Sequence, residues 1–336
     1  MSAMSRRVVA LCCCLLAPAT ATFAALPTQY QLQTLPNVWF LDHVGKSGAV
    51  SGGDANAQPA LWIGGVEHPL ANPGTSGGAN WVNALNESAG SVQLSGNSRA
   101  SRWTAAGNWI DVGSAIPGTS WTTALSDVGA CTVNAYLSDR EHAYFSADCQ
   151  ASTMVDMGTL GGNAMTSGIN SNGQVVGTSL VGSGYHPFIY SAGHMLDLGL
   201  LQDFVTCEGN GINGKGHVVG DCSKGGRHKP VGYFYDGKRM RKIGNLGAAF
   251  TIAHAINISD VVVGESSPSG SAVSAFVLDM GTPGSPMHDL NDMLDASGSG
   301  WHLQSAVAIN TAGEIIVEGT IDFQQGIHYA VLVPIQ

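Results

Sequence analysis

Short apolar runs separated by glycine and polar turn residues recur along almost the whole chain. The clearest unit contains four such runs, which we call strands a to d, between Gly168 and Gly199. Its a–b connection reads Ile169-Asn170-x-x-Gly173, in which Asn can bond its own backbone and Gly can take a positive φ, as tight hairpins require. Runs this short, with turn residues between them, predict antiparallel β-strands rather than helices.

The unit recurs to give seven copies, which can be aligned on the apolar residue that ends strand a. Successive anchors lie 40 to 44 residues apart except at the last step of 53, where residues 291–300 resemble an inserted loop. The aligned anchors are Val44, Leu85, Leu125, Ile169, Ile212, Ile256 and Ile309. Because four antiparallel strands per roughly 40 residues is the period of a propeller blade, the pattern predicts an all-β, seven-bladed β-propeller.

The two ends of the repeated region complement each other. The last copy stops after strand c at Val333, and residues 30–35 form a single strand that resembles a strand d. Together they would complete one blade, so we expect the N-terminal strand to close the ring within a single domain of residues 25–336. A solenoid, the alternative for a repeated sequence, would need capping units that the sequence lacks.

These repeats resemble the family of extracellular repeats named for a His-Ala-Phe motif. The resemblance rests on Ile-Asn-x-x-Gly-x-Val-Val-Gly at residues 169–177 and on Asp-Leu-Gly at residues 197–199. No copy reads His-Ala-Phe literally, and the nearest are His142-Ala-Tyr144, His186-Pro-Phe188 and Ser274-Ala-Phe276. The resemblance implies an exported bacterial protein and carries no catalytic residues onto this chain.

The first 24 residues have the features of a secretory signal peptide. Arg6 and Arg7 precede an apolar stretch from Val8 to Ala17, and small residues follow, with cleavage expected after Ala21 or Ala24. We therefore expect a secreted or periplasmic protein. No second apolar segment is long enough to span a membrane, so we expect no transmembrane segment in the mature chain.

The composition and net charge of the chain restrict the classes of binding partner that we expect. Only 11% of the 336 residues are charged, while 45 are Gly, which suits short strands and tight turns. Removal of the leader leaves 12 basic against 24 acidic residues, so nucleic acid is an improbable partner for the surface as a whole. We expect a monomer without a cofactor, whose partner is an anionic glycan or a protein.

The mature chain keeps four cysteines, an even number that suits an oxidising compartment. Cys207 and Cys222 flank one a–b hairpin almost symmetrically, and Cys131 and Cys149 bracket the b–c connection of another unit. We expect two disulfides within blades; free core thiols are the alternative. Zinc is not expected, because no pair has C-x-x-C spacing.

Strand a is expected to be innermost, so its side chains should converge on a central channel. The residues two positions before the anchors are polar in six of the seven copies. They could hold an ion or a small polar ligand, or they could form a belt of structural hydrogen bonds with channel water. The six are Asp42, Asn83, Thr123, Ser167, Asn210 and His254.

Basic residues are concentrated in one unit. Eight of the 12 mature basic residues fall between Cys207 and Gly247, with only three acidic residues among them. This unit could present an anion-binding surface, or its outer strand could carry charge that prevents edge-to-edge aggregation. The candidate anion-binding residues are Lys224, Arg227, Lys229, Lys238, Arg239, Arg241 and Lys242.

The sequence gives little indication of a metal site or of a catalytic motif. His142, His186 and His328 occupy equivalent positions on different blades, so they cannot converge on one metal ion and we expect structural roles for them. The chain has no Gly-x-Ser-x-Gly elbow, zinc helix or phosphate loop. A pair of glycosidase carboxylates is best sought near the inserted loop, which carries Asp292, Asp295, Trp301 and His302.

Three functions are compatible with the sequence. The first is a non-enzymatic exported propeller that binds a glycan, an anionic ligand or an envelope partner. The second is a propeller hydrolase or lyase that acts on extracellular glycans, and the third is a structural envelope or matrix protein. A pocket that gathers Asp42 and His254, or Asp292 and His302, within hydrogen-bonding reach of one open cavity would favour the enzyme, whereas a filled channel and a continuous basic surface would favour binding.

Overall fold

The chain folds into seven blades around a central axis. A computed structural model describes residues 26–226, 229–269, 272–322 and 326–335; the predicted leader lies outside them. Each blade is a four-stranded antiparallel sheet, and the strand order within every sheet follows the chain except in the last blade. The predicted seven-bladed β-propeller is confirmed. No helix in the described parts of the chain has the length and hydrophobicity to cross a membrane.

Strands of five to eight residues predominate, and four single-turn 3₁₀ segments lie in connections. The first four blades contain β2 (Val38–Val44), β3 (Val50–Asp54), β4 (Pro59–Ile63), β5 (Val66–Pro69), β6 (Gly77–Val82), β7 (Ser88–Leu94), β8 (Asn97–Trp103), β9 (Trp109–Asp111), β10 (Thr119–Leu125), β11 (Cys131–Tyr136), β12 (Glu141–Ser146), β13 (Val155–Asp156), β14 (Ala164–Ile169), β15 (Val175–Val181), β16 (Gly184–Ser191) and β17 (His194–Asp197). The last three contain β18 (Thr206–Ile212), β19 (Val218–Ser223), β20 (Val231–Tyr235), β21 (Met240–Lys242), β22 (Gly247–Ile256), β23 (Val261–Pro268), β24 (Ser274–Asp279), β25 (Met287–Asp289), β26 (Trp301–Ile309), β27 (Ile315–Ile321), β28 (His328–Ile335) and the N-terminal β1 (Gln29–Gln33). The 3₁₀ segments are Gly113–Ala115, Ala151–Thr153, Leu290–Met293 and Ala296–Gly298.

Strand β1 closes the ring by pairing antiparallel with β28, with Gln31 opposite Val333. Its alternate side chains Tyr30 and Leu32 are buried in the core of blade seven. The predicted closure by the N-terminal strand is therefore confirmed. Because β1 supplies the fourth strand of blade seven, every blade is complete, and the first described strand is paired with the last.

The inserted loop of residues 291–300 covers the remaining free edge of β1. The Asp295 amide donates to the Tyr30 carbonyl at 3.0 Å, and the Leu32 amide donates to Ser297 Oγ at 2.7 Å. Leu290 and Met293 are buried beneath it, in the same core as Tyr30. The loop thus protects a sheet edge that would otherwise expose unpaired backbone groups.

A recurrent contact inside the blades pairs a glycine of strand b with an aromatic ring of strand c. Gly220 of β19 lies opposite Tyr233 of β20, and a Cβ on that glycine would come within 2.9 Å of the ring. The same contact pairs Gly177 with Phe188 and Gly264 with Phe276. The Val-Val-Gly motif ends in glycine because a Cβ there would come within 1.9 to 2.1 Å of a carbonyl oxygen of strand a and would also meet the aromatic ring of strand c.

Both expected disulfides are confirmed. Cys207 and Cys222 are direct cross-strand partners in β18 and β19, as the hairpin symmetry predicts. Cys131 at the start of β11 bonds to Cys149, which follows β12. All four cysteines are fully buried, so each bond links strands inside the core of its blade.

Candidate functional site

A β-bulge interrupts the innermost strand of every blade at an equivalent position. In β14, for example, the register with β15 shifts between Thr166 and Gly168, which leaves Ser167 unpaired. A bulge bends the strand and re-aims the extra side chain, and here the extra residues line the central channel. The seven residues are Asp42, Asn80, Thr123, Ser167, Asn210, His254 and Val307.

The expected channel position in blade two was off by three residues. Strand β6 ends at Val82, so Asn80 rather than Asn83 is equivalent to Ser167. Leu85 resembles an apolar anchor in the sequence, but its side chain is 64% exposed in the turn. That turn has no glycine, and Asn86 takes the positive φ of 59° that glycine supplies elsewhere. The atypical turn concealed the correct alignment.

Asn83 instead belongs to a set of asparagines that join neighbouring blades. Asn170 accepts hydrogen bonds from the amides of Asn172 and Gln174, and its Nδ2 donates to the Asn213 carbonyl of the next blade at 2.8 Å. Asn83, Asn213, Asn257 and Asn310 repeat this arrangement at 2.9 to 3.3 Å. The side chain thus shapes its own hairpin and connects it to the next one.

The channel contains cavities on either side of a stacked pair of rings. His43 and Trp81 stack with centroids 3.9 Å apart, and both line a cavity of about 280 Å³ beside the a–b turns. They also line a cavity of about 340 Å³, which shares Asp42 and Ser167 with a third of about 220 Å³. The last two cavities form the polar part of the channel, where five of the six expected channel residues lie. The stacked pair was not anticipated from the sequence.

Asp42 and His254 line this polar part but have different partners. Asp42 accepts a hydrogen bond from Asn80 Nδ2 at 2.6 Å, and His254 Nε2 lies 4.0 Å from Glu265. Burial raises the pKa of Asp42 to about 6, the Asn80 bond opposes this, and Glu318 adds to it. Burial lowers the pKa of His254 to about 4. Both side chains therefore line the same cavity, and each has its own partner.

Three further carboxylates occupy one equivalent position in strand b of consecutive blades. They are Asp221 in blade five, Glu265 in blade six and Glu318 in blade seven. Burial and then neighbouring Glu208 raise the pKa of Asp221 to about 6, against a hydrogen bond from Asn210. Burial also raises the pKa of Glu265 and of Glu318, and the two carboxylates interact.

The candidate anion-binding residues of blade five lie on its outer strand β21, in the turn before it and in the b–c loop. Arg241 and Lys242 belong to β21, the outermost strand, and Lys238 and Arg239 lie in or next to the turn before it. Lys224 and Lys242 approach the same Phe204 ring at 5.3 and 5.1 Å. These residues and Lys229 are exposed; Arg227 lies outside the described residues.

The strand c histidines bind carboxylates within their own blades. His142 Nδ1 lies 2.7 Å from Asp156, and His186 Nδ1 lies 3.0 Å from Asp197 of the Asp-Leu-Gly motif. His328 packs against the edge of Trp301. The described residues contain no group of three His, Cys, Asp or Glu side chains able to hold a metal ion.

The inserted loop does not assemble a carboxylate pair at the channel. Asp292 is exposed in the segment Leu290–Met293, and Asp295 accepts hydrogen bonds from the backbone and hydroxyl of Ser297. Trp301 and His302 lie at the start of β26. The contacts of Asp295 and Ser297 stabilise the loop over β1.

By its fold the chain is a seven-bladed β-propeller with a polar channel and one basic blade. No protein-family model and no curated protein matches it, so the resemblance to the His-Ala-Phe repeats stays a prediction. The β-propeller domain of the Trilobed protease from Pyrococcus furiosus, which has an open velcro topology, is similar with a TM-score of 0.56 and 9% identity over 91% of this chain and 94% of that chain. A puromycin hydrolase mutant complexed with PGG has a TM-score of 0.51 and 11% identity over 87% of this chain and 50% of that chain. This chain thus spans about half the hydrolase's length, and the similarity shows the fold alone.

Proposed function

We propose that this protein is an exported binding module, without catalytic chemistry of its own, that takes an acidic polysaccharide on the outer edge of blade five. The surface consists of Lys224, Lys229, Lys238, Arg241 and Lys242, together with Arg239. It adjoins the buried Phe204 and Phe234 rings, which fix the positions of three of these cations. A repeated anion such as a uronate chain could contact several of them at once.

The observation that carries the proposal is that these cations lack ionic partners. In the part of the chain that the structure describes, none of the five lysine and arginine residues has a carboxylate within 4.0 Å, and Arg239 approaches Asp236 only at 3.9 Å. Elsewhere Arg102 pairs with Glu87 at 2.7 Å and Lys215 pairs with Asp260 at 2.7 Å. Unpaired like charges along one edge of a blade attract polyanions.

Export is supported by independent features. The two disulfides persist only where the environment is oxidising, as outside the cytoplasm. The first 24 residues have the composition of a signal peptide. The proposal therefore places the basic surface where extracellular or periplasmic polysaccharides are accessible.

Binding of polygalacturonate to the mature chain tests the proposal. We expect binding that weakens as salt is added, because exposed charges are screened, and that falls at least tenfold in the Lys224→Glu/Lys242→Glu double variant. The Lys46→Glu/Arg140→Glu variant makes the same change in net charge on blades one and three and should bind as the wild type does. Equal losses in both variants, or no binding by the wild type, would reject the basic edge as the site.

A further inference from the structure

A cavity of about 320 Å³ lies between blades seven and one, on the face of the ring opposite to the a–b turns. Its wall forms where β26 and β28 begin, where β27 ends, and where residues 34–37 connect β1 to β2. The cavity therefore depends on closure of the ring, which places β1 beside β28. Its volume is at the small end of the range of about 300–1,000 Å³ for small-molecule sites.

Trp39 gives this cavity a fixed aromatic surface. Besides the bulge that every innermost strand has, β2 has a second one between Val38 and Phe40, which leaves Trp39 unpaired. A bulge re-aims the extra side chain, and Trp39 lines the cavity with 58% of its surface exposed. It is the only exposed tryptophan among the described residues, and its ring lies edge to face with Phe40 at a centroid distance of 5.3 Å. The backbone irregularity thus presents an aromatic ring to whatever enters the cavity.

The wall also carries hydrogen-bonding groups that the protein leaves unpaired. The indole N–H groups of Trp62 and Trp103 donate to backbone carbonyls at 2.9 and 2.7 Å. Among the described residues, the indole N–H groups of Trp39 and Trp301 have no acceptor, and the His328 ring contacts Trp301 without a hydrogen bond of its own. A purely apolar ligand would desolvate these groups and leave them unpaired, which is unfavourable.

The wall carries no acidic or strongly basic side chain. In the described chain it includes no Lys, Arg, Asp or Glu. Asn37 supplies an amide at the rim, and Glu67, which lies outside the wall, accepts from its Nδ2 at 3.0 Å and holds it there. A charged ligand would lose hydration in this cavity without gaining an ion pair. The wall therefore suits an uncharged ligand that has both C–H surface and hydroxyl groups.

We infer that this cavity binds a pyranose unit of an uncharged glycan, with the C–H face of the sugar on Trp39 and its hydroxyl groups bonded to Trp301 and His328. The face of an aromatic ring is negative and attracts the C–H groups of a sugar, while hydroxyl groups can both donate and accept. The inference goes beyond the proposed function, because it concerns different blades and a ligand without charge.

Titration calorimetry of the mature chain with uncharged tetrasaccharides tests this inference, and the probes are cellotetraose, mannotetraose, galactotetraose and chitotetraose. We expect saturable binding of at least one of them, with an affinity that added salt leaves unchanged, because no ion pair forms. Cyclohexylmethanol, an apolar ring with a single hydroxyl, should not bind in the same concentration range. Failure of all these sugars to bind, equal binding of cyclohexylmethanol, or loss of sugar binding in salt would overturn the inference.

Substitutions of Trp39 locate the site. Trp39→Ala should weaken binding of the best tetrasaccharide at least tenfold, and Trp39→Phe, which keeps an aromatic face without the N–H, should weaken it only a few-fold. The matched control is Tyr136→Ala, which removes an aromatic ring that is 51% exposed on blade three and should have no effect. Unchanged affinity in Trp39→Ala, or an equal loss in Tyr136→Ala, would contradict the assignment of the sugar to this cavity.

The test of this cavity is separate from that of the basic edge. The Lys224→Glu/Lys242→Glu variant should bind the tetrasaccharide as the wild type does, and Trp39→Ala should bind polygalacturonate as the wild type does. Loss of tetrasaccharide binding in the lysine double variant would place the uncharged sugar on blade five and overturn the inference.

Discussion

Among single residues, Tyr233 departs from its equivalents in neighbouring blades. Phe188 and Phe276 occupy the same position over a glycine, but Tyr233 adds a hydroxyl that is fully buried and has no hydrogen-bond partner among the described residues. Burial raises the pKa of Tyr233, and Asp221 and Glu208 add to this effect. An unsatisfied buried hydroxyl costs about 1–3 kcal/mol, so the tyrosine is a local weak point.

We predict that Tyr233→Phe raises the free energy of unfolding by about 1 kcal/mol, since it removes the unpaired hydroxyl and keeps the ring over Gly220. Equilibrium denaturation in urea measures the change. The reverse substitution, Phe276→Tyr in blade six, should lower stability by a similar amount. A loss of stability in Tyr233→Phe would show that the hydroxyl has a favourable partner.

At the scale of elements, the a–b turn is both a hairpin and a connection between blades. Asn170 accepts two hydrogen bonds within its own turn, donates one there to Gln174 Oε1 at 2.9 Å, and donates one to the next blade. Blade three provides a natural comparison, because Ser126 accepts from the Ala130 amide but contributes no equivalent inter-blade bond in the described structure. Serine therefore preserves the turn acceptor and removes the connection.

We predict that Asn170→Ser lowers the free energy of unfolding by about 1 kcal/mol and that Asn170→Ala lowers it by about 2 kcal/mol. The difference between the variants separates the bonds within the turn from the bond to the next blade. Asn172→Ala, in the same turn, removes only an exposed bond to Gly214 and should change stability by less than about 0.5 kcal/mol. Equal effects of Ser and Ala would assign the whole contribution to the connection.

At the scale of the whole molecule, the ring contains two kinds of titrating group, and their effects on the pH dependence of stability oppose each other. Asp42 and Asp221 have pKa values of about 6, above those of unfolded carboxylates, so between about pH 4 and 6 they make stability fall as pH rises. His43 and His254 have pKa values of about 4, below that of unfolded histidine, so in nearly the same range they make stability rise with pH. The two effects largely cancel.

We predict that single substitutions reveal the separate contributions of the carboxylates and the histidines to the pH dependence of stability. Between pH 4 and 6.5, the stability of Asp42→Asn relative to the wild type should rise with pH, and that of His254→Gln should fall, each on the order of 1–2 kcal/mol. Urea denaturation at intervals of half a pH unit measures both. Parallel curves for the wild type and both variants would contradict the pKa shifts.

The sequence by itself determined the blades, because their signals are local. Strand periodicity, the Asn or Gly of the hairpins and the recurrence at about 40 residues depend on neighbours along the chain, and so does the pairing of Cys207 with Cys222 across one turn. The unpaired strand at residues 30–35 was sufficient to predict closure. The basic unit was likewise visible as a cluster in sequence before β21 was seen to form an edge.

Five channel residues were predicted from the sequence, but their contacts with one another depend on the tertiary structure. The exact position in blade two depended on an Asn that replaces glycine in a turn, and that exchange displaced the alignment from Asn80 to Asn83. His43 stacks on Trp81, and Asp42 is repelled by Glu318; both interactions are between residues of different blades. The stack joins the consecutive blades one and two, whereas Asp42 and Glu318 interact because closure of the ring places blade seven beside blade one.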